Sequence, residues 1–336
     1  MTTAAPFPAL TPDAPGVVRR AHLSADWRRP AVAGGHDIYW SAAEGFGQIL
    51  PRPSPAEAAA FYQVAYYTHT ADQDGAAQRG GLFWRILMHL AWRRDAGVEA
   101  DRQWWATTLG SAPLDCLEIG CGAGQTLDLL CGLGHRVCGV EPDPDARRVA
   151  QERGLEVLDG TAEDLPAAIT ARRHDVVVLF HVLEHCIDPV LALRNVQGLL
   201  KDGGIVLIEV PNNACRGAAL FGTAWAWLDV PRHLNFFTPR SLERIVSAGG
   251  LVSEGLEYSG YTRQFSTGWA AMQRQIAAVV ADPRGRQTWR YPLLLALTAF
   301  AGSAVKYDSV RIRARRHPAV APAPSTPVTP PARVAR

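Results

Sequence analysis

The sequence predicts an α/β fold built on an open, mostly parallel sheet covered by helices on both faces. Three observations carry that prediction. From Leu114 onward, short apolar runs alternate with helical patterns at regular spacing, as strands and crossover helices do. One run, Asp175 to Phe180, is apolar throughout after its first residue, the composition of a strand buried on both faces. A third run, Leu114 to Ile119, leads into glycines at alternate positions, Gly120, Gly122 and Gly124, and then into a helical pattern from Gln125 to Cys131. That is a strand, a tight turn and a helix N-terminus, where backbone N–H groups can approach a ligand closely.

The totals bound the possibilities. At 336 residues and 48% hydrophobic content, the chain can hold one large α/β domain with additions, or two domains. A net charge of +2 gives no electrostatic case for nucleic acid. The six cysteines, Cys116, Cys121, Cys131, Cys138, Cys186 and Cys215, form no CxxC pair, which favours reduced thiols in a cytoplasmic protein over a disulfide or zinc framework. Pro6, Pro8, Pro12 and Pro15 interrupt any signal-peptide pattern. The longest strongly apolar run, Tyr291 to Val305, contains Pro292 and is shorter than the ~20 residues of a spanning helix.

Residues 1–35 are rich in Ala, Pro and Thr without periodicity, and are expected to be flexible. Residues 36–110 are expected to form a helical lid region. In it, Ser54 is placed to cap a helix from Ala56 to Ala65, and a second helix runs from Leu82 to Arg94 with Leu82, Ile86, Leu87 and Leu90 on one face. Residues 111–260 make the sheet core. After the first strand and helix, strands are expected at Arg136 to Val140, Leu155 to Leu158, Asp175 to Phe180, Ile205 to Val210 and Leu251 to Tyr258, with helices between. A helical insertion over residues 261–306 precedes a last strand within 307–316 and a disordered, proline-rich tail, 317–336.

The glycine turn differs from the Gly-x-Gly-x-x-Gly fingerprint of dinucleotide sites, because Gln125 takes the third glycine position. Glu118 at the strand end would repel a pyrophosphate but suits an ammonium or sulfonium group. Glu141 ends the next strand, where a carboxylate can take both ribose hydroxyls. The balance favours a phosphate-free, cation-bearing nucleoside, S-adenosylmethionine.

Glu118-x-Gly120-x-Gly122-x-Gly124, Glu141, the turn Gly160-Thr161-Ala162-Glu163-Asp164 and the strand end His181-Val182-Leu183-Glu184-His185 together resemble class I S-adenosylmethionine-dependent methyltransferases. The similarity spans Leu114 to Tyr258, with Ser309 to Arg315 as the family's final strand. It implies a Rossmann-like seven-stranded sheet, mostly parallel, whose last strand is antiparallel. Carried over by position, Glu118 and Gly120 would meet the methionine end of the cofactor, and Cys121, Gly122 and Gly124 would complete the cradle. Glu141 with Pro142 would hold the ribose, Ala162 and Glu163 would meet the adenine edge, and His181 would sit beside the cofactor. Thr161 departs from the pattern, since many relatives have Asp there. Trp227 to Pro239 and Phe46 to His69 look like segments of a bacterial branch similar to ubiquinone-biosynthesis-like and cell-envelope or sugar-associated methyltransferases. Relatives there often carry a zinc-binding Cys-x-x-Cys, where this chain has Ser41 and Glu44, so no metal is expected.

Methyl transfer is an in-line displacement, and a hydroxyl acceptor must also lose a proton, for which histidine is the usual base. His233 is the first candidate, in a loop after the fifth strand at the sheet's carboxyl edge. His185 is the second, with capping of the helix near Asp188 as its alternative role. The run His181 to His185 also spells His-x-x-Glu-His, a zinc-protease pattern, but it follows a strand and suggests no third ligand. Tyr66, Tyr67, His69, Trp227 and Arg232 are candidate acceptor-binding residues, with aromatic packing as the alternative for the tyrosines. Trp289 to Val305, flanked by Arg286, Arg290 and Lys306, suits a core or dimer element better than a helix at a membrane surface. The expected function is methyl transfer from S-adenosylmethionine to a small-molecule, glycan-like or lipid-linked acceptor, on oxygen. The alternatives are an NAD(P)-dependent oxidoreductase and a non-catalytic cofactor-binding partner subunit.

Overall fold

Regular structure begins earlier than the sequence suggests. In the computed structural model, which describes residues 7, 9–62 and 81–316, β1 (Val17–Ala25), β2 (Ala33–Ser41) and β3 (Phe46–Leu50) form an antiparallel meander. The expectation of flexibility is therefore corrected for residues 17–35, and the helical reading of 36–110 for residues 36–50; residues 1–6, 8 and 63–80 lie outside the described ones. The physical reason is long-range: Leu23 of β1 is buried against Ile38, Ile49, Leu234 and Phe236, partners that no local pattern reveals. Asn235 and Phe236 add a fourth strand to this sheet by pairing antiparallel with β3.

α1 (Pro55–Ala60) opens on a capping box, in which the Glu57 N–H donates to Ser54 Oγ at 3.3 Å and the Ser54 N–H donates to the Glu57 carboxylate at 2.8 Å. α2 (Leu82–Trp92) splits the face expected of it: Leu87 is buried with Ala91, while Leu82, Ile86 and Leu90 are exposed. α3 (Arg102–Leu109), capped by Asp101, buries Trp105 beneath the main sheet.

The main sheet follows the expected alternation. β4 (Asp115–Ile119), α4 (Gln125–Cys131), β5 (Arg136–Val140), α5 (Pro144–Glu152), β6 (Val157–Leu158) and α6 (Ala167–Thr170) come first. They are followed by β7 (His174–Phe180), α7 (Pro189–Leu199), β8 (Leu200–Pro211), α8 (Arg216–Phe221), β9 (Asn235–Phe236), α9 (Pro239–Ala248) and β10 (Leu251–Ser259). α10 (Thr267–Val279), α11 (Arg290–Thr298) and α12 (Ser303–Lys306) make the insertion before β11 (Ser309–Arg316). The seven strands lie in the order β10-β11-β8-β7-β4-β5-β6, and β11 runs antiparallel to both its neighbours. The order turns back between β4 and β7, which opens a crevice at the carboxyl ends of the strands.

Successive residues of the central strands feed opposite layers. Leu117, Val177, Leu179, Val206 and Ile208 pack toward α7 and α9, whereas Cys116, Val176, Val178 and Leu207 pack toward α3 and α4. All six cysteines are free thiols. The insertion joins the molecule through a separate cluster in which Tyr291 and Leu294 of α11 meet Leu87 and Ala91 of α2 and Phe221 of α8. The apolar run expected as one helix from Trp289 to Val305 is divided, since α11 ends at Thr298 and α12 starts at Ser303.

Candidate active site

Gly120, Gly122 and Gly124 all have left-handed backbones, with φ of 72°, 53° and 83°. Side chains are disfavoured there on conformational grounds, and a Cβ on Gly120 would lie 2.6 Å from Val182 Cγ2. Glu141 ties the end of β5 to this turn, accepting from the Gly122 N–H at 2.8 Å and the Asp143 N–H at 2.9 Å. Glu118 is buried at the end of β4, and its Oε2 has no hydrogen-bond partner among the described residues. Burial pushes its pKa up to about 8, a hydrogen bond from Thr126 offsets part of that, and Glu141 adds repulsion. A buried, unpaired carboxylate oxygen beside bare glycine backbone fits a ligand bearing a positive group. A pyrophosphate would meet two carboxylates instead.

The rest of the expected cradle is placed unevenly. The Cys121 sulfur packs inward, so that a Cβ on Gly139 would come within 2.6 Å of it, and only the Cys121 backbone belongs to the turn. Pro142 is exposed just past β5. Ala162 is buried, and the carbonyls of Ala162 and Glu163 accept from Asn195 Nδ2 at 3.0 and 3.1 Å. The Glu163 carboxylate accepts from the N–H groups of Ile187 at 3.1 Å and Asp188 at 2.7 Å, so it braces the entry to α7 rather than standing free for an adenine.

His181 follows β7 in a left-handed conformation, φ 56°. Its Nδ1 lies 3.2 Å from Glu184 Oε1 and its Nε2 3.5 Å from Glu209 Oε1. Burial works against charge here, but the hydrogen bonds to the two carboxylates lift its pKa to about 9, making it an imidazolium at neutral pH. Its ring stacks on Trp227 at 4.7 Å and 14°, and the Arg263 guanidinium lies 4.9 Å from the Trp227 centroid. Glu209 and Arg263 were missed in the sequence. A lone carboxylate inside the apolar run Ile205 to Val210 was the available signal for Glu209; Arg263 carried none.

His185 and His233 are brought together, with ring centroids 4.7 Å apart. His185 Nδ1 is 3.0 Å from the Arg232 carbonyl and His233 Nδ1 is 2.8 Å from the Trp227 carbonyl. A carbonyl only accepts, so each Nδ1 carries the hydrogen and each Nε2 keeps a lone pair. Burial lowers both pKa values; His233, further opposed by His185, falls to about 4. Both rings are thus neutral at pH 7. Glu184 is buried beside them with an Oε2 that has no hydrogen-bond partner among the described residues, and Glu184, His185 and His233 offer ligand atoms that all lie within 4.8 Å of one another. The His-x-x-Glu-His pattern does not assemble, since His181 is turned to Glu184 and Glu209; the set that could surround a metal ion is Glu184, His185 and His233. His185 does not cap α7; Asp188 does, accepting from the N–H groups of Val190 and Leu191.

Arg232 corrects another expectation. It is 1% exposed and donates to Asp26 at 2.8 and 2.9 Å and to Asp229 at 2.9 Å, so its charge is engaged inside the protein and not offered to an acceptor. Tyr66, Tyr67 and His69 lie outside the described residues. Their neighbour Tyr62 approaches the site, its ring 5.8 Å from that of His185.

Known proteins place this geometry. A family model described as a methyltransferase domain matches residues 94–254. The chain is 35% identical over 178 residues to a ubiquinone biosynthesis O-methyltransferase of Methylobacterium sp. (strain 4-46), covering 49% of this chain and 70% of that protein. It is 33% identical over 167 residues to a ubiquinone biosynthesis O-methyltransferase of Aeromonas salmonicida (strain A449), covering 45% and 70%. A solved S-adenosylmethionine-dependent methyltransferase from Mesorhizobium loti aligns over 65% of this chain and 99% of its own at 14% identity and a TM-score of 0.43. The family model spans the glycine turn and strands β4 to β8, and the chain belongs to the class I S-adenosylmethionine-dependent methyltransferases.

Proposed function

We propose that the chain transfers the methyl group of S-adenosylmethionine to a hydroxyl oxygen of a small-molecule acceptor, with His185 as general base. The observation that carries this reading is the pair of neutral imidazoles, His185 and His233, beside the buried Glu184 carboxylate at the sheet's carboxyl edge. The relatives support it, being named for O-methyl transfer in ubiquinone biosynthesis. In this reading Glu118 and the Gly120–Gly124 backbone hold the methionine end, Glu141 the ribose, and the backbone of Ala162 and Glu163 the adenine.

The bound donor supplies an electrophilic methyl group on a sulfonium. The acceptor oxygen would take that methyl group, leaving S-adenosylhomocysteine, and Nε2 of His185 would accept the hydroxyl proton. His185 precedes His233 as base, the reverse of the order drawn from sequence, because His185 is half-buried whereas His233 is 3% exposed. Trp227, stacked on the His181 imidazolium, gives the acceptor an aromatic wall.

The test is labelled methyl transfer to phenolic acceptors. His185→Ala should lower turnover about 10²–10⁴-fold while S-adenosylhomocysteine affinity, measured by calorimetry, stays unchanged. Undiminished turnover, or transfer only to nitrogen or carbon acceptors, would refute the reading. One observation favours a second reading: an orphaned carboxylate oxygen and two Nε2 lone pairs, each ring anchored through Nδ1–H to a carbonyl, form a divalent-cation ligand set. A histidine base alone predicts full turnover after chelation. Metal assistance predicts loss and recovery on adding magnesium or zinc.

A further inference from the structure

α2 and α11 carry apolar side chains on two faces. Inward, Leu87, Ala91, Tyr291 and Leu294 share one buried cluster, where Trp84 meets Tyr291 edge-on at 4.9 Å. Outward, α2 presents Leu82, Ile86 and Leu90, which are 71%, 51% and 36% exposed. The α11 segment presents Trp289, Leu297 and Phe300, which are 55%, 47% and 99% exposed. Residues four apart lie on one side of a helix, so Leu82, Ile86 and Leu90 form a second apolar stripe on α2, while Trp289 is exposed at the start of α11 and Leu297 and Phe300 at its end. Exposed apolar surface of this extent marks an interaction site.

The two segments themselves carry charge of one sign. No Asp or Glu occurs from Leu82 to Arg94 or from Pro283 to Tyr307. Arg85, Arg93, Arg94 and Arg286 are exposed there.

We propose that this face docks on an anionic phospholipid bilayer, with its Leu, Phe and Trp side chains in the interfacial layer and its arginines among the headgroups. A second copy of the chain fits worse. A two-fold contact would set these arginines against their own equivalents, with no carboxylate on either helix to pair them. No helix among the described residues is long and apolar enough to cross a membrane, so the contact is peripheral. Both helices lie outside residues 94–254, the part that matches the methyltransferase model, and the docking is independent of which acceptor atom is methylated.

Flotation of the full chain with vesicles tests this. Wild-type protein should be recovered with phosphatidylglycerol vesicles, less with pure phosphatidylcholine, and progressively less as salt rises. The triple variant Leu90→Gln, Leu297→Gln, Phe300→Gln should bind the anionic vesicles at least about tenfold more weakly. Arg85→Gln with Arg93→Gln should weaken only the binding to anionic vesicles. S-adenosylhomocysteine calorimetry on each variant should show unchanged affinity, which reports an intact fold and keeps this test separate from that of methyl transfer. The proposal is overturned if the wild-type chain stays in the soluble fraction with phosphatidylglycerol vesicles or if the variants float as well as wild type. It is also overturned if sedimentation shows a dimer that the same substitutions dissolve.

Discussion

Glu118 sits buried at the end of β4 with one oxygen unpaired, and burial raises its pKa from 4.5 to about 8. Between those values the folded protein holds a proton that the unfolded chain has released, so stability from this group is complete below pH 4.5 and is lost as pH rises through 8. A sulfonium or ammonium beside the carboxylate reverses the preference by favouring the ionised form. Binding of S-adenosylmethionine at pH 7 should therefore release a proton, and the release should vanish above pH 8. Calorimetry in buffers of different ionisation enthalpy reads this directly. Glu118→Gln should abolish the buffer dependence and weaken binding by about tenfold or more, the loss of a charge-assisted contact. Heats that do not depend on buffer in the wild type would show that Glu118 faces no positive group.

At the scale of elements, the decisive piece is the buried loop from Trp225 to Phe237, which carries Trp227, Arg232 and His233. It is held from both sides: Arg52 donates to its Leu234 carbonyl at 2.8 Å, and its own Asn235 Nδ2 donates to the carbonyls of Leu183 at 3.1 Å and Cys186 at 2.7 Å. Arg232 anchors the loop between Asp229 and Asp26. Arg232→Ala would leave two buried carboxylates without their main partner and should cost about 3–5 kcal/mol in urea unfolding. Had Arg232 bound the acceptor, the same change would raise KM with stability unchanged. This loop also marks where the sequence stops being legible. The glycine turn, Glu141 and the seven-strand alternation could be read because each is a local pattern, a spacing of glycines or a period of apolar residues. The Arg232–Asp26 pair joins positions 206 apart, and the meeting of His185 with His233 depends on two loops folding over one sheet edge. On α2, Leu82, Ile86, Leu87 and Leu90 could be recognised as apolar, but an apolar stripe on either side of the helix reads the same until Leu87 and Ala91 find their partners.

For the whole molecule, the N-terminal sheet acts on the site through a chain of backbone contacts. The Ile49 N–H of β3 donates to the Leu234 carbonyl at 3.1 Å, and the Leu234 N–H donates to the Glu184 carbonyl at 2.6 Å. β1 completes that sheet from outside, and the turn after it supplies Asp26 to Arg232, and Trp27 and Arg28 to Asp229. Deleting residues 1–32 would expose the face of Ile38 and Ile49 that Leu23 covers and leave Arg232 short of a carboxylate. The shortened chain should unfold at lower urea concentration by roughly 5 kcal/mol or more, from one buried leucine and one broken buried ion pair. A flexible tail would leave the midpoint where it was. Because the deletion can prevent folding altogether, Leu23→Ala gives a second measurement: about 2–4 kcal/mol lost, with S-adenosylhomocysteine binding preserved because the cradle lies on β4 and β5. Loss of methyl transfer exceeding loss of stability in that variant would show that the outer sheet sets the position of His185 and His233. An unchanged unfolding midpoint in Leu23→Ala would rule out a structural role for β1.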